Sequence, residues 1–204
     1  SEINILSVLD SYGTYVSEGL GHHLSILPWS SGFGLVLDLF LSIFHCDLFI
    51  RDSRSGSDPE HFLELFERYE ITNIVTYPNT LEKLLIMNNP ENLLKCLRSG
   101  LIGGSRISAK LAQTLQGSRL QSVYGLSESG FGLCLGKKGE FAESILGYPI
   151  LGNPGLDESG HIFFQGPNSS VAEIDIRGIQ YLDPNRIVWT GDLGYIREGI
   201  FYYL

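Results

Sequence analysis

The 204-residue chain carries 43% hydrophobic and 18% charged residues, which are the proportions of a globular protein rather than a disordered one. Its formal net charge of −9 argues against a nucleic-acid-binding protein, because such proteins present a basic surface. An acidic chain that binds a polyphosphate must do so locally, through backbone amides, glycine loops and a divalent cation.

The cysteines and the longest apolar segment indicate the compartment of the protein and argue against a membrane span in that segment. Cys46, Cys96 and Cys134 lie far apart and show no metal-site spacing, so we expect a reduced, cytoplasmic protein. The apolar segment 34–50 is interrupted by polar residues and is too short for a membrane span. We therefore expect it to form a buried helix followed by a strand.

The first two thirds of the chain alternate between strand-like and helix-like patterns. Apolar or β-branched runs predict strands at 24–28, 47–52, 71–78, 100–105 and 119–125. Helices are predicted between them, the first over 33–44 and the others after the N-cap candidates Asp58, Asn79 and Ser108. Strands that alternate with helices predict an α/β fold with a mostly parallel sheet and helices on both faces.

Ligands of such sheets gather at the carboxyl ends of the strands. Gly103, Gly104 and Ser105 follow one predicted strand, and the segment 124–128 follows the next. The topology therefore predicts a binding site at this edge before any motif is considered.

The composition changes after about residue 136. Glycine and proline become dense, the apolar runs shorten and the helical period disappears. We predict a small β-rich subdomain at 137–204, packed beside an α/β subdomain at 1–136.

The stretch YGLSESG, residues 124–130, is a candidate for a nucleophile elbow. The elbow needs a glycine where Ser129 stands. Its histidine would have to follow the acid, yet His161 precedes the best acid candidate, Asp192. The nucleophile interpretation is therefore weak.

The same stretch fits a phosphate and metal site better. Gly125 allows a tight turn, the Ser127 hydroxyl can bond a phosphate oxygen, and the Glu128 carboxylate can hold Mg²⁺. A capped surface loop is the alternative, and the stretch alone does not decide between the two.

Two further segments are weak signals when each is taken alone. Gly103 and Gly104 would let a flat ring or a phosphate lie against the backbone, although paired glycines more often form a turn. Asp192 ends the segment Thr190-Gly191-Asp192 after an apolar run and can accept bonds from paired ribose hydroxyls. An aspartate in a turn is also commonplace.

Taken together, the order and spacing of these segments resemble the adenylate-forming superfamily, which includes acyl-CoA synthetases, firefly luciferase and the adenylation domains of peptide synthetases. The family's Tyr-Gly-x-Thr-Glu motif matches residues 124–128, with Ser127 in place of threonine. Its Thr-Gly-Asp motif matches residues 190–192, and the stretch 155–168 also looks like the segment that precedes this motif in the family. The resemblance covers nearly the whole chain.

The resemblance implies that the base and ribose of ATP or AMP lie against the strand ends. Gly103, Gly104 and Ser105 would lie against the adenine. Tyr124 would pack on the adenine, and Asp192 would bind the ribose.

The rest of the Tyr-Gly-x-Thr-Glu motif has the catalytic roles by the same resemblance. Gly125 and Leu126 would continue the nucleotide-binding loop. Ser127 would contact phosphate and Glu128 would hold Mg²⁺.

Substrate selection in the family comes from a tunnel beside this loop. The corresponding candidates are mostly apolar or aromatic, which suits an acyl or aryl tail, and they are Trp29, Ser31, Phe33, Pro78, Asn79, Gly130 and Phe131. A place in the buried core is the more ordinary fate of Phe33.

The segment around Trp29 also departs from the family. Ser30 and Ser31 stand where the family often has two histidines, which removes the usual contact on the carboxylate side. We expect the nearby His22 and His23 to be solvated loop residues.

The resemblance implies ATP-dependent activation of a small carboxylic acid to an acyl-adenylate, followed by acyl transfer to a thiol of coenzyme A or a carrier protein. Residues 1–136 would bind the nucleotide and the acyl group. The family's phosphate-binding loop would precede Ser1 and its lysine-bearing C-terminal domain would follow Leu204, and these 204 residues contain neither. The alternative is a catalytically incomplete homologue or partner subunit that binds nucleotide or another protein.

Overall fold

The computed structural model describes residues 2–17, 19–52, 54, 58–87, 89–129, 132–166, 169–170, 172–183 and 185–204. Its α-helices are α1 (Glu2–Ser11), α2 (Gly13–Val16), α3 (Ser42–His45), α4 (Pro59–Arg68), α5 (Pro78–Met87), α6 (Pro90–Cys96) and α7 (Ala109–Leu115). A π-helix, Gly34–Leu41, runs directly into α3, and a 3₁₀ turn spans Ser127–Ser129. None of the helices that the structure describes is long and apolar enough to cross a membrane.

The strands form one mixed sheet and a separate hairpin. They are β1 (His22–Ser25), β2 (Leu48–Arg51), β3 (Asn73–Thr76), β4 (Ser99–Gly103), β5 (Gln121–Tyr124), β6 (Cys134–Leu135), β7 (Ile145–Pro149), β8 (Gly155–Leu156), β9 (His161–Phe164), β10 (Ala172–Asp175), β11 (Gly178–Tyr181), β12 (Val188–Arg197) and β13 (Ile200–Tyr203). The sheet order is β2-β1-β3-β4-β5-β6-β7-β13-β12-β9-β8, and β10 pairs with β11.

Strand direction divides the sheet at β5. Neighbouring strands are parallel from β2 to β5 and antiparallel from β5 to β8. We call β1–β5 with their helices the parallel half, and β6–β13 the antiparallel half. The predicted fold class, an α/β sheet followed by a β-rich part, is confirmed. The boundary between residues 136 and 137 stays a prediction, because β6 and β7 join the two halves in one sheet.

Two helices begin where the sequence predicts. The Asp58 carboxylate accepts a hydrogen bond from the backbone N–H of His61 at 3.0 Å, at the start of α4. The Ser108 hydroxyl accepts one from the N–H of Leu111 at 3.1 Å, at the start of α7. Both N-caps are therefore confirmed.

Two expectations about polar residues of the parallel half are wrong. Helix α5 begins at Pro78, so Asn79 lies inside the first turn instead of capping it. Proline suits a first helical position, because its missing N–H would have had no partner there. His22 and His23, expected in a solvated loop, begin β1, and His23 is fully buried.

The buried His23 belongs to a polar network that the π-helix completes. Asp38 of the π-helix is fully buried, with its Oδ1 2.9 Å from His23 Nε2. Its Oδ2 accepts hydrogen bonds from the Ser25 hydroxyl at 2.6 Å and from the backbone N–H of Leu27 at 3.1 Å. On its other side, His23 Nδ1 lies 2.5 Å from Oδ1 of Asn73 in β3. These partners make the burial of a carboxylate tolerable.

The buried apolar side chains form two clusters. The larger one packs the helices against the parallel half and includes the fully buried Phe62 and Ile74. The smaller one belongs to the antiparallel half and includes Ile162 and Phe164, but it also takes in Tyr124 of β5. Tyr124 therefore ties the last parallel strand to the core of the antiparallel half.

Candidate functional site

A cleft of about 150 Å³ opens where β4 and β5 end. Six of the residues predicted for the nucleotide site line it, namely Gly104, Ser105, Tyr124, Gly125, Leu126 and Asp192. Residues of β4, β5 and β12 thus meet at the edge that the topology predicts, although they are distant in the chain.

The glycines at the end of β4 allow close packing behind this cleft. Gly104 has a φ of +78°, and a Cβ added to it would lie 2.7 Å from the ring of Tyr77. Gly103 is buried beside the backbone carbonyl of Val123, which leaves no room for a side chain. A residue with a side chain would therefore displace this wall of the cleft.

Tyr124 and Asp192 close the cleft between the two halves. The Tyr124 hydroxyl donates a hydrogen bond to Oδ2 of Asp192 at 2.6 Å. Burial raises the pKa of Tyr124, and the bond to Asp192 raises it further, so the phenol stays a donor. Tyr203 packs edge-on against Tyr124 with ring centres 5.8 Å apart, and burial, followed by the Asp192 charge, raises its pKa to about 12.

An irregularity in β12 presents Asp192 to the cleft. The pairing of β12 with β9 shifts register between Trp189 and Leu193, and Gly191 there has a φ of +82°. The Thr190 hydroxyl stabilises the distortion, since it donates to the carbonyl of Ile162 at 2.9 Å and accepts from the N–H of Asp192 at 3.1 Å.

Ser127 and Glu128 lie exposed on the 3₁₀ turn that follows β5. Buried Ser129 holds this turn closed, because its hydroxyl donates to the carbonyl of Leu126 at 2.9 Å and accepts from the Leu126 N–H at 3.0 Å. The backbone carbonyl of Glu128 accepts a hydrogen bond from the N–H of Ser170 at 2.9 Å. The Ser127 and Glu128 side chains are thus exposed to solvent, and neither belongs to the lining of the cleft, which ends at Leu126 on this loop.

The residues at this turn fit a magnesium ion that is shared with a phosphate. No group of three or more His, Cys, Asp or Glu side chains in the described part of the chain could hold a metal. Mg²⁺ in phosphate-transfer sites takes one or two carboxylates and completes its shell with phosphate oxygens and water. Glu128 would then be the ligand that this turn supplies.

The candidate acid-binding residues are dispersed along the same edge. Trp29 is 37% exposed, whereas Phe33 is 1% exposed and packs on Tyr77 in the larger core cluster. The Ser31 hydroxyl donates to the carbonyl of Pro28 at 3.0 Å and lies 3.3 Å from the Tyr77 hydroxyl.

The other candidates for acid binding contribute less to the described site. Asn79 is exposed on α5, and Pro78 is buried. Gly130 and Phe131 lie outside the described residues. The assignment of an acid tunnel to these positions therefore stays a prediction.

The cleft also contains residues that sequence reasoning did not single out. Ser122 is 5% exposed, and its hydroxyl has no hydrogen-bond partner in the described part of the chain. Arg106 lies 3.7 Å from Glu143 and 5.7 Å above the ring of Tyr203. Alternation places Ser122 on the same face of β5 as Tyr124, which is a signal for it, but Arg106, Glu143 and Tyr203 belong to no local motif.

Comparison with protein-family models matches residues 4–168 to a family described as AMP-binding enzyme. The chain belongs to this family. The resemblance to adenylate-forming enzymes is therefore confirmed. A comparison with curated protein sequences gave no match.

Solved structures of AMP-binding enzymes share the fold. Apo MatB from Rhodopseudomonas palustris matches with a TM-score of 0.78 and 19% identity, over 100% of this chain and 44% of MatB. O-succinylbenzoate CoA synthetase (MenE) from Bacillus subtilis, bound to its product analogue OSB-NCoA, matches with a TM-score of 0.76 and 21% identity, over 98% and 44% of the two chains. The McyG A-PCP structure complexed with phenylalanyl-adenylate gives 0.76 and 15%, over 100% and 43%.

These likenesses establish the fold and leave the activity to be argued separately. The chain spans less than half of the length of these neighbours. The Bacillus subtilis MenE has been solved in complex with AMP, and also with ATP and a magnesium ion.

Proposed function

We propose that the protein containing this chain activates a carboxylic acid with ATP. The acid's oxygen attacks the α-phosphorus, the bond to the β-phosphate oxygen breaks, and an acyl-adenylate and pyrophosphate form. The acyl group then passes to a thiol of coenzyme A or a carrier protein, and AMP leaves. The proposal is supported by membership of the AMP-binding family and by structural neighbours that carry an adenylate, ATP with magnesium, or a coenzyme A product analogue.

The observation that carries the proposal is the bond between Tyr124 and Asp192. The Tyr124 hydroxyl engages Oδ2 of Asp192 and leaves the other carboxylate oxygen as an acceptor for a ribose hydroxyl. Gly104 and the Tyr124 ring line the same cleft, where they would contact the flat base. The proposed contact for the base and the proposed acceptor for the ribose are thus neighbours in one cleft.

The exposed end of the Tyr-Gly-x-Thr-Glu motif would meet the phosphates. Ser127 would donate its hydroxyl to a phosphate oxygen, and Glu128 would hold Mg²⁺. The ion would neutralise charge on the phosphates when it is bound, and the protein would contribute mainly positioning. Because the turn is held by Ser129 and not by Ser127, both functional side chains are free to engage the ligand.

The cytoplasm is the compartment we propose, with a small carboxylic acid and a thiol acceptor as partners. All three cysteines are free. Burial raises the pKa of the Cys134 thiol to about 12, so this side chain acts as an apolar core group and not as a nucleophile. The acyl-accepting thiol would therefore come from the partner.

ATP–pyrophosphate exchange in the natural full-length protein tests the assignment. With a suitable carboxylic acid, Glu128→Ala and Asp192→Ala should each lower the exchange rate by about a hundredfold or more, because Glu128 would hold the magnesium ion on the phosphates and Asp192 would bind the ribose. Glu158→Ala, a change of an exposed carboxylate in the turn between β8 and β9, is the matched control and should leave the rate unchanged. Unaltered exchange in both site variants would contradict the roles.

Calorimetry separates the enzyme from the incomplete homologue. An active enzyme binds ATP and AMP, and Asp192→Ala weakens the binding of both, because both carry the ribose. Failure of ATP and AMP to bind would favour a partner subunit of the same fold that binds another protein.

A further inference from the structure

Arg51 and Trp29 form a stacked pair at the far end of the parallel half. Arg51 ends β2, and the carbon of its guanidinium lies 4.7 Å from the centre of the Trp29 ring. One guanidinium nitrogen, Nη1, donates to the backbone carbonyl of Ser25 at 3.0 Å, which fixes the plane of the group. The guanidinium is thus held in place before any ligand arrives.

The Arg51 charge has no carboxylate partner in the described part of the chain. Arg54 and Arg106 each lie within 4 Å of an acidic side chain, at 3.8 Å from Asp52 and 3.7 Å from Glu143. Arg51 makes no such pair, although it is half-buried in a chain of net charge −9. Its Nε and Nη2 groups keep hydrogen-bond capacity for an anion, and a guanidinium binds a carboxylate through two parallel bonds.

The buried polar network fixes the aromatic partner as well. Trp29 Nε1 donates to the Ser25 hydroxyl at 3.2 Å, and that hydroxyl donates to the fully buried Asp38 at 2.6 Å. Trp29 keeps 37% of its surface exposed despite this anchor. An exposed aromatic ring that is held from behind is a preorganised contact surface.

A continuous row of contacts joins this pair to the nucleotide cleft. Gly104, at the cleft, packs on the Tyr77 ring, and the Tyr77 hydroxyl lies 3.3 Å from Ser31 Oγ, two residues after Trp29. The row follows the carboxyl edge across β4, β3, β1 and β2. Three strand spacings of about 4.8 Å amount to about 14 Å, which is the reach of an extended acid of moderate length.

We propose that Arg51 and Trp29 bind a negatively charged group at the far end of the acid, so that the preferred substrate is a dicarboxylic acid. One carboxylate is activated at the nucleotide cleft, and the other pairs with Arg51 while the chain or ring before it lies against Trp29. The inference rests on the proposed function, because it assigns the second end of the acid in that reaction.

The test compares matched acids in the natural full-length protein. ATP–pyrophosphate exchange is measured with straight-chain dicarboxylic acids from suberate to tetradecanedioate, whose extended lengths bracket this distance, and with monocarboxylic acids of the same carbon number. The wild-type protein should prefer a dicarboxylic acid in kcat/KM by about tenfold to a hundredfold, as a charge-assisted pair of hydrogen bonds provides.

Arg51 variants show whether this residue is the source of the preference. Arg51→Leu should abolish the preference and leave the monocarboxylic acids active, whereas Arg51→Lys should keep part of it, because the charge remains without the fork. Arg119→Leu removes an exposed arginine elsewhere in the parallel half and should keep the full preference. The ratio of two acids within one variant is insensitive to general losses of stability.

The outcomes distinguish this inference from the proposed function. Absence of exchange with every acid tried overturns the dicarboxylate inference, and failure of ATP and AMP to bind in calorimetry then identifies the proposed function as the part at fault. A wild-type preference for monocarboxylic acids, or a dicarboxylate preference that survives in Arg51→Leu, overturns the inference and leaves the proposed function standing. If Arg51 instead binds the thiol acceptor, Arg51→Leu should leave the exchange with both kinds of acid unchanged, because the acceptor enters after the adenylate has formed. That result would likewise overturn the dicarboxylate inference.

Discussion

The two halves of the sheet bury their side chains differently. All residues of β3 and β4 are buried, because helices cover both faces of the parallel half. In the antiparallel half the inner strand β9 alternates between buried and more exposed positions, and most residues of β12 are exposed or partly exposed. One face of that half is therefore open to solvent.

This difference shows that the two halves contribute different parts of the candidate site. The parallel half supplies the fixed backbone, with Gly103 and Gly104 wedged against neighbouring groups. The antiparallel half supplies Asp192 and Tyr203, whose side chains reach back to Tyr124. The candidate site thus lies at the point where strand direction changes, and it needs both halves.

The largest expected effect comes from cavities in the two cores. Phe62→Ala should lower the free energy of unfolding by about 4–5 kcal/mol, because Phe62 is enclosed in the larger cluster and its neighbours cannot close the void. Phe164→Ala, in the smaller cluster beside an open face, should lower it by about 3 kcal/mol, because neighbours can relax.

Denaturant unfolding of the natural full-length protein measures both core variants. Phe44→Ala serves as the control, since that side chain is 71% exposed and should change stability by less than about 0.5 kcal/mol. A larger loss for Phe164→Ala than for Phe62→Ala would contradict the contrast between the two halves.

An intermediate effect is expected at the junction of the halves. Tyr124→Phe keeps the ring and removes the hydrogen bond to Asp192, so the free energy of unfolding should fall by about 1.5 kcal/mol. AMP affinity should fall by only a few-fold in calorimetry, because the freed carboxylate can rotate. Tyr195→Phe, on the exposed part of β12, is a matched control. Equal stability of the two variants would show that the Tyr124 hydroxyl does not link the halves.

The smallest effect concerns the turn between β8 and β9. Asp157 accepts backbone hydrogen bonds from Ser159 at 2.9 Å and His161 at 2.7 Å, and the His161 N–H is the main cause that lowers its pKa. A carboxyl with a lowered folded-state pKa stabilises the fold above its unfolded pKa of about 3.9 and loses that contribution as the pH falls.

Asp157→Asn should therefore flatten the acid dependence of stability. Thermal unfolding between about pH 5 and pH 3 measures the slope, and the variant should lose less stability over this range than the wild-type protein. At neutral pH the difference should be small, because the amide oxygen still accepts from the same N–H groups. A slope as steep as that of the wild-type protein would show that Asp157 does not titrate with folding.

Local sequence patterns predicted those features of the fold that depend only on neighbouring residues, such as the starts of helices. Asp58 and Ser108 cap helices because their short oxygen-bearing side chains reach an N–H three residues ahead, which depends on no tertiary contact. The prediction of Asn79 as an N-cap was wrong because the helix begins one residue earlier, at Pro78, and proline is favoured at the first helical position.

Long-range contacts were beyond what the sequence showed. His23 is buried because Asp38 and Asn73, fifteen and fifty residues away, supply its partners. Nothing local to Arg106 or Tyr203 indicates that they meet at the cleft. The motif residues could be predicted because the family resemblance implies their spatial arrangement. Trp29 was a candidate for acid binding by the same resemblance, whereas Arg51 matches no such motif and its contact with Trp29 was not predicted.

The distortion of β12 has a consequence for local opening of the sheet. Between Trp189 and Leu193 the regular pairing of β12 with β9 is interrupted. The backbone N–H of Asp192 donates to the Thr190 hydroxyl there and not to a carbonyl of a neighbouring strand. Such a stretch opens at lower free energy than the ladders on either side of it. Amide hydrogens of residues 190–192 should consequently exchange with solvent faster than those of the rest of β12, and a ribose held by Asp192 would slow that exchange.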